Sequence, residues 1–188
     1  MEKPSSQKMF PLPPVSNPEM ASPNPDDGNA ETQFILGLKF ATDKSAAQDY
    51  GQAADWYRKA AAQNHSLAQF NLGVMYAQGQ GVARDAAQSA VWFDRAAKQG
   101  DAGAQFHLGD SCQRASFKQG PAEAAESRIE AYKWYRLAAA QGYGDSAKSW
   151  SSLTLNMTRA DVATGNQRVA AFEIGKSKSQ HGQDGCQE

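Results

Sequence analysis

The side chains best suited to chemistry lie close together, within residues 107–114. His107 and Cys112 could serve as a base and a nucleophile. Positions five apart on a helix are separated by about a turn and a half, so these two side chains point to different faces. A Cys–His pair is therefore disfavoured, whereas His107, Asp110 and Arg114 remain compatible with a small-ligand or hydrolase-like site.

Metal and phosphate chemistry find little support in the sequence. The two cysteines and three histidines are scattered, without the spacing of a metal site or a disulfide framework. The Gly79-Gln80-Gly81 bend resembles a phosphate-binding loop, but it lacks the following Lys-Ser/Thr pair and a preceding strand. We therefore expect no catalytic residue, no metal and no cofactor, and we interpret this bend as a turn.

Charge and hydropathy exclude two broad classes of protein. The chain has 188 residues with 19 basic and 20 acidic side chains, and the basic ones form no cluster that would bind a phosphate backbone. No apolar run approaches the roughly 20 residues that span a bilayer, and the N-terminus lacks the apolar core of a secretory signal. We expect neither nucleic-acid binding nor membrane insertion, and we expect a cytoplasmic location.

Internal repetition organises the chain. Gly37, Gly73 and Gly109 recur every 36 residues, each preceded by Gln-Phe-x-Leu. A fixed period of this length is the signature of a stacked repeat array. The repeated positions within a unit follow i, i+3, i+4, i+7, which predicts one packed face of a first helix. Glycine at a repeated helical position indicates that the backbone of a neighbouring helix passes close by.

A second helix in each unit is marked by an aromatic pair that leads into two alanines. Its tryptophans, which we interpret as packing positions, are Trp56, Trp92 and Trp134. Capping boxes, in which an acceptor side chain precedes Gln or Glu by three residues, lie at Asp49, Asp85 and Ser127. The third unit is longer than the others, so we place an insertion in residues 115–126 and predict that its second helix begins at Ser127.

The recurring pattern Ala-x-Ala-Gln-x-x-Leu-Gly-x-x-Tyr, with a Gly-x-Gly-Val bend and Ala-Ala before Gln-Gly, resembles the Sel1-like repeat family. The second unit matches almost throughout, whereas the first and third lack the bend and the third has Cys112 in place of the tyrosine. The resemblance implies an all-α fold, a right-handed α/α superhelical solenoid of Sel1-like helix pairs with a capping unit. It also implies a non-enzymatic scaffold or adaptor that binds other proteins.

The repeats and the composition of the ends divide the chain. A proline-rich start and a polar end predict disorder, because neither has enough apolar surface to build a core. The predicted segments are a leader at 1–28, a solenoid at 29–174 with units at about 29–64, 65–100 and 101–142 and a degraded capping unit at 143–174, and a tail at 175–188.

The first helices also carry positions that differ from unit to unit. Stacking does not dictate them, and first helices line the concave side of such solenoids, so we predict that they form a partner-binding groove. These positions are Ile35, Leu38, Lys39 and Thr42 in the first unit, Asn71, Val74, Met75 and Gln78 in the second, and His107, Asp110, Ser111 and Arg114 in the third.

Three interpretations of the function follow. The groove binds a protein or peptide of unknown identity, or the residues near His107 bind a small ligand, or the solenoid is a spacer whose Pro11-Leu12-Pro13-Pro14 segment is the recognised element. We favour the first, because Ile35, Val74 and Met75 are apolar side chains that stacking does not explain.

Overall fold

The computed structural model describes residues 28–42 and 49–181. In these residues the chain is all-helical, with eight helices and no strand, as predicted. The helices are α1 (Ala30–Thr42), α2 (Tyr50–Ala62), α3 (Ser66–Gln78), α4 (Ala86–Gln99), α5 (Ala102–Ser116), α6 (Pro121–Ala140), α7 (Ser146–Thr154) and α8 (Arg159–His181). The predicted leader up to residue 27, the bend at 43–48 and the predicted tail after His181 lie outside the described residues.

Consecutive helices pack in pairs, which gives the α/α solenoid predicted from the repeats. α1 packs against α2, α3 against α4, and α5 against α6. Each pair also packs against the next, through α2 with α3 and α4 with α5. The hydrophobic core follows the same plan, because one cluster joins the first and second units and another joins the second and third. Stacking therefore buries the apolar faces that a single pair leaves open.

A glycine that faces an aromatic ring holds each helix pair at close range. The three contacts are Gly37 with Tyr57, Gly73 with Phe93, and Gly109 with Tyr135. A Cβ atom on these glycines would lie 2.6 to 2.8 Å from the nearest ring carbon. Carbon atoms in contact prefer about 3.5–4.0 Å, so only glycine permits this approach. The repeated glycine has the packing role that its spacing predicted, but it faces an aromatic side chain and not the backbone of the neighbouring helix.

A ladder of glutamine amides connects the units. Within each unit, the glutamine after the second helix or at its end donates to the first-helix glutamine, at 2.7 to 2.9 Å: Gln63 to Gln33, Gln99 to Gln69, and Gln141 to Gln105. Between units, the first-helix amide donates to a preceding carbonyl: Gln69 to Ala61 at 3.1 Å, and Gln105 to Ala97 at 3.3 Å. A main-chain carbonyl only accepts, so these bonds set the orientation of each buried amide.

The helix ends follow the predicted capping signals in the first two units. Asp49 and Asp85 accept backbone N–H groups at the starts of α2 and α4. Positive φ angles follow the second helices of all three units, at Asn64 (69°), Gly100 (101°) and Gly142 (70°). Asn and Gly are the residues that adopt this left-handed conformation most readily, so the predicted helix stops are confirmed.

The second helix of the third unit begins before Ser127, so that predicted start is wrong. α6 starts at Pro121, with Gly120 at its N-cap. Proline suits the first helical position, because its fixed φ is helical and no N–H is needed there. Part of the insertion therefore joins the helix. Ser127 lies inside α6, where its hydroxyl donates to the side-chain oxygen of Gln119 at 2.6 Å.

The last helix, α8, packs along α6 and is longer than the sequence indicated. Gly165 is buried and faces the ring of Tyr132, which repeats the glycine–aromatic contact of the three units. Phe172 packs edge-on against Trp134, with ring centroids 5.6 Å apart. These contacts hold α8 against the core, and the helix continues to His181. Its last turns fall in residues that the sequence assigned to a disordered tail.

The tryptophans of the second and third units pack toward the preceding unit. Trp134 is buried in the cluster of the second and third units, and Trp92 lies half-buried against the cluster of the first and second. Trp56, in the first unit, is also half-buried, and the Lys59 ammonium lies 4.0 Å from the centroid of its ring. A cation over an aromatic face is favourable. Packing therefore covers Trp134 most fully, whereas Trp56 and Trp92 remain partly exposed.

The glycine–aromatic contact predicts a stability difference between two alanine variants. Gly73→Ala places a Cβ against Phe93, and we expect overpacking of this kind to cost about 1–3 kcal/mol. Gly175→Ala, in α8, meets no atom within 4 Å, and we expect a gain of about 0.5–1 kcal/mol from helix propensity. Urea unfolding followed by circular dichroism measures both. A Gly73→Ala variant as stable as the wild type would contradict the close approach.

Candidate partner-binding surface

The exposed sides of α1, α3 and α5 form what we call the first-helix surface. Two large apolar side chains lie open on it: Ile35 is 39% exposed and Leu67 is 50% exposed. Sequence reasoning predicted Ile35 but missed Leu67. The equivalent positions hold Glu31 in the first unit and a buried glycine, Gly103, in the third, so no repeated pattern marks this position.

The other predicted groove positions differ in their exposure. The exposed ones are Lys39, Gln78, Ser111 and Arg114. The half-buried ones are Leu38, Thr42, Asn71, Val74, His107 and Asp110. The surface thus combines two open apolar side chains with a mixture of amide, hydroxyl and charged groups. It has no single sign of charge that would select a strongly acidic or basic partner.

Met75 does not belong to this surface, so its prediction as a groove residue is wrong. Its side chain is 4% exposed and packs in the cluster of the first and second units, together with Leu72 and Ala68. Val74 also has a packing role, because it lies against the cluster of the second and third units. A position that varies between units can therefore still face a neighbouring unit.

His107 stacks on an aromatic ring of the preceding unit. Its ring centroid lies 4.7 Å from that of Phe93, and the two planes are inclined by 6°. Burial lowers the pKa of His107 and the charge of Arg114 adds to this effect, whereas Asp110 and Asp101 oppose it. At neutral pH the ring is therefore an uncharged packing element.

Asp110 is held by a tyrosine of its own unit. The Tyr135 hydroxyl lies 2.6 Å from the Asp110 carboxylate and 2.7 Å from the side-chain oxygen assigned to Gln113. A hydroxyl has one proton and a carboxylate only accepts, so we assign the donation to Asp110, with the Gln113 amide then donating to the hydroxyl oxygen. Burial and the Asp110 charge raise the pKa of Tyr135. Asp110 is occupied by this contact.

The geometry does not assemble a nucleophile with a base. Burial, reinforced by the charge of Glu130, raises the pKa of Cys112, which disfavours the reactive thiolate. His107 is stacked on Phe93, and Arg114 is exposed. Within residues 28–42 and 49–181, no group of three or more His, Cys, Asp or Glu side chains could hold a metal ion.

No helix in the described part of the chain combines the length and apolar character needed to cross a membrane.

A cavity of about 300 Å³ opens at the end of the third unit where the insertion lies. We call it the insertion pocket. It is lined by Gln113, Ser116, Phe117, Arg128, Leu153 and Asn156. These residues come from the end of α5 and the segment after it, from α6, and from the end of α7 and the segment after it. The insertion was recognised in the sequence, but the convergence of three helices on it was not.

Stacked helix pairs, with a regular glycine–aromatic contact and no assembled catalytic group among the described residues, define an α/α solenoid repeat protein. A family model for the Sel1 repeat matches residues 30–65, 66–101 and 102–143. The chain therefore belongs to the Sel1 repeat family, as the resemblance in its sequence predicted. The matched units are offset by one residue from the predicted boundaries.

Two solved structures are similar to this chain. One is a protective antigen present in uropathogenic Escherichia coli strains that displays an SLR fold, with a TM-score of 0.66 and 25% identity over 82% of this chain. This chain covers 33% of that antigen's length. The other is a Sel1 repeat protein from Oxalobacter formigenes, with a TM-score of 0.57, 35% identity, and coverage of 68% of this chain and 91% of the other. No curated protein sequence matches significantly.

The half-buried His107 predicts how stability depends on pH. Its pKa in the folded chain lies below the usual value of 6.5, so the unfolded chain binds a proton first as the pH falls. Stability from this group is present above about pH 6.5 and declines as the pH falls through the folded pKa. His107→Phe keeps a ring on Phe93 but cannot titrate, so we expect its stability to decline less between pH 7.5 and 5.5.

Thermal unfolding at several pH values measures this difference. Ser111→Ala, at an exposed position on the same helix, serves as the control and should follow the wild type. Equal pH dependence in the wild type and His107→Phe would show that the histidine does not titrate differently on unfolding.

Proposed function

We propose that this chain is a non-catalytic scaffold that binds a protein or peptide on its first-helix surface. Proteins built from Sel1 repeats generally act as protein-interaction scaffolds. The observation that carries the proposal for this chain is the exposure of Ile35 and Leu67 on the first helices of consecutive units. Neither side chain is needed to close the core, and exposed apolar groups surrounded by polar ones are typical of interaction sites.

Polar groups elsewhere on the first helices suit an extended segment of polypeptide. The Gln78 amide and the Ser111 hydroxyl can each donate and accept hydrogen bonds, as peptide groups require. Lys39 and Arg114 are exposed cations on the first and third units. A partner would gain affinity from burying Ile35 and Leu67 and orientation from the polar groups.

A cytoplasmic setting is part of the proposal. Cys112 is a free thiol in a half-buried position, which suits a reducing compartment. Protein partners are favoured over nucleic acid, because the net charge is −1 and the basic side chains are not clustered.

Paired serine substitutions test the binding surface. Ile35→Ser with Leu67→Ser removes both exposed apolar contacts, and Val91→Ser with Ile174→Ser removes two side chains of similar exposure from α4 and α8. We expect the first pair to weaken capture of a native partner by tenfold or more, since burial of such a side chain contributes about 1.5–3 kcal/mol. The second pair should bind as the wild type does.

Quantitative capture from a native cell extract, with the full chain immobilised, measures these differences. Deletion of residues 1–27 is tested in parallel, because the proline-rich segment is the alternative recognised element. Capture that survives the Ile35 and Leu67 substitutions but disappears with the deletion would assign binding to that segment and refute the surface proposal.

A further inference from the structure

We propose that the insertion pocket binds a carboxylate group next to an apolar side chain of a polypeptide partner. This proposal rests on the scaffold function, and it gives the chemistry of one contact. The pocket combines an arginine without a partner, an exposed aromatic ring and two amide side chains in a cavity of about 300 Å³.

The pocket arises from the departure of the third unit from the repeat. Phe117 belongs to the inserted residues, and Arg128 follows them in α6. The first two units have no such insertion, so the stacking of helix pairs does not require these side chains. Residues that line a cavity but are not required for the packing of the repeats are available for binding.

Arg128 is half-buried at the pocket and lacks an acceptor for part of its guanidinium group. Its Nε atom is buried without a hydrogen-bond partner, and the side chain forms no ion pair with any described residue. The neighbouring cations differ: Arg168 binds Glu126 and Glu130, and Lys133 binds Glu130. A carboxylate matches the planar guanidinium group with two parallel hydrogen bonds. Arg128 therefore defines the kind of group that completes the pocket.

The other residues that line the pocket determine which chemical groups can bind beside the carboxylate. Phe117 is 79% exposed at the rim, and the Leu153 side chain lies below it in the buried core. The amides of Gln113 and Asn156 supply polar contacts on the same cavity. About 300 Å³ is at the lower end of ligand pockets, so the cavity suits one amino-acid residue and not a large cofactor.

A second cavity shows why an arginine alone does not make such a site. It has about 270 Å³ and is lined by Arg136, Ala139, Ala140, Ala147 and Trp150. The Arg136 guanidinium already contacts the Tyr132 hydroxyl at 3.3 Å and lies 5.9 Å from the Trp150 ring centroid. The Arg136 guanidinium therefore already has partners, whereas the Arg128 side chain forms no ion pair with any described residue.

Binding of N-acetyl-L-leucine to the full chain tests the proposal. We expect nuclear magnetic resonance titration to shift the amide signals of Gln113, Phe117 and Asn156, with saturation in the millimolar range. N-acetyl-L-leucinamide, which lacks the charge, should bind at least tenfold more weakly. Arg128→Gln should lose at least tenfold in affinity for the acid. Arg159→Gln, which removes an exposed charge at the start of α8, should not.

The opposite outcomes overturn the proposal. Equal binding of the acid and the amide would show that the carboxylate is not recognised, and equal losses in Arg128→Gln and Arg159→Gln would show an unspecific charge effect. Circular dichroism confirms that the Arg128 variant is folded. Arg128→Lys keeps the charge without the planar fork, and we expect it to bind between the wild type and Arg128→Gln.

Two peptides separate the sources of the carboxylate, and one variant separates this proposal from the scaffold function. A peptide ending in leucine with a free C-terminus and an amidated peptide with an internal Asp-Leu pair compete for the probe, and the stronger competitor identifies the source. Failure of both to compete overturns recognition of a peptide carboxylate. The Ile35 and Leu67 double variant should retain the probe, so loss of surface binding and loss of pocket binding are distinguishable.

Discussion

Contact between a first-helix glycine and an aromatic ring determines how the rest of the solenoid can assemble. Gly73 allows α3 to approach α4 until Phe93 lies against its backbone, and the same ring stacks with His107 of the following unit. One ring therefore sets the spacing within a pair and part of the packing of the next pair. Gly165 and Tyr132 repeat the contact between α8 and α6, so the closing helix uses the same device as the units it covers.

The two proposed binding sites use side chains that this packing leaves without a structural role. Ile35 and Leu67 remain open because they lie on first helices but outside the packed face. The Nε atom of Arg128 remains without a hydrogen-bond partner beside the insertion, which the other units lack. The two candidate sites thus share one property: each contains residues that the packing of the repeats does not require. A scaffold of this design can change its specificity without losing its core.

Much of the fold could be predicted, because period, caps and glycines are local signals. The start of α6 was missed because Pro121 and Ser127 are both acceptable beginnings, and only packing decides between them. Met75 was misplaced because variation between units does not distinguish solvent from a neighbouring unit. The position of Leu67 holds different residue types in the other units, so no repeated pattern marks it. The insertion pocket depends on three helices that are distant in sequence. The candidate sites were therefore predicted less completely than the scaffold.

The glutamine ladder has a consequence for how such chains change in length. Each rung uses residues that recur in every unit, with the Gln69 amide bonded to Ala61 and the Gln105 amide bonded to Ala97. Loss of the whole second unit would bring Gln105 to Ala61 with the same donor and acceptor, and duplication would create one more identical rung. No buried amide is orphaned at the new junction. Because the hydrogen bonds are the same at each junction, whole units can be duplicated or deleted without leaving a buried amide unpaired.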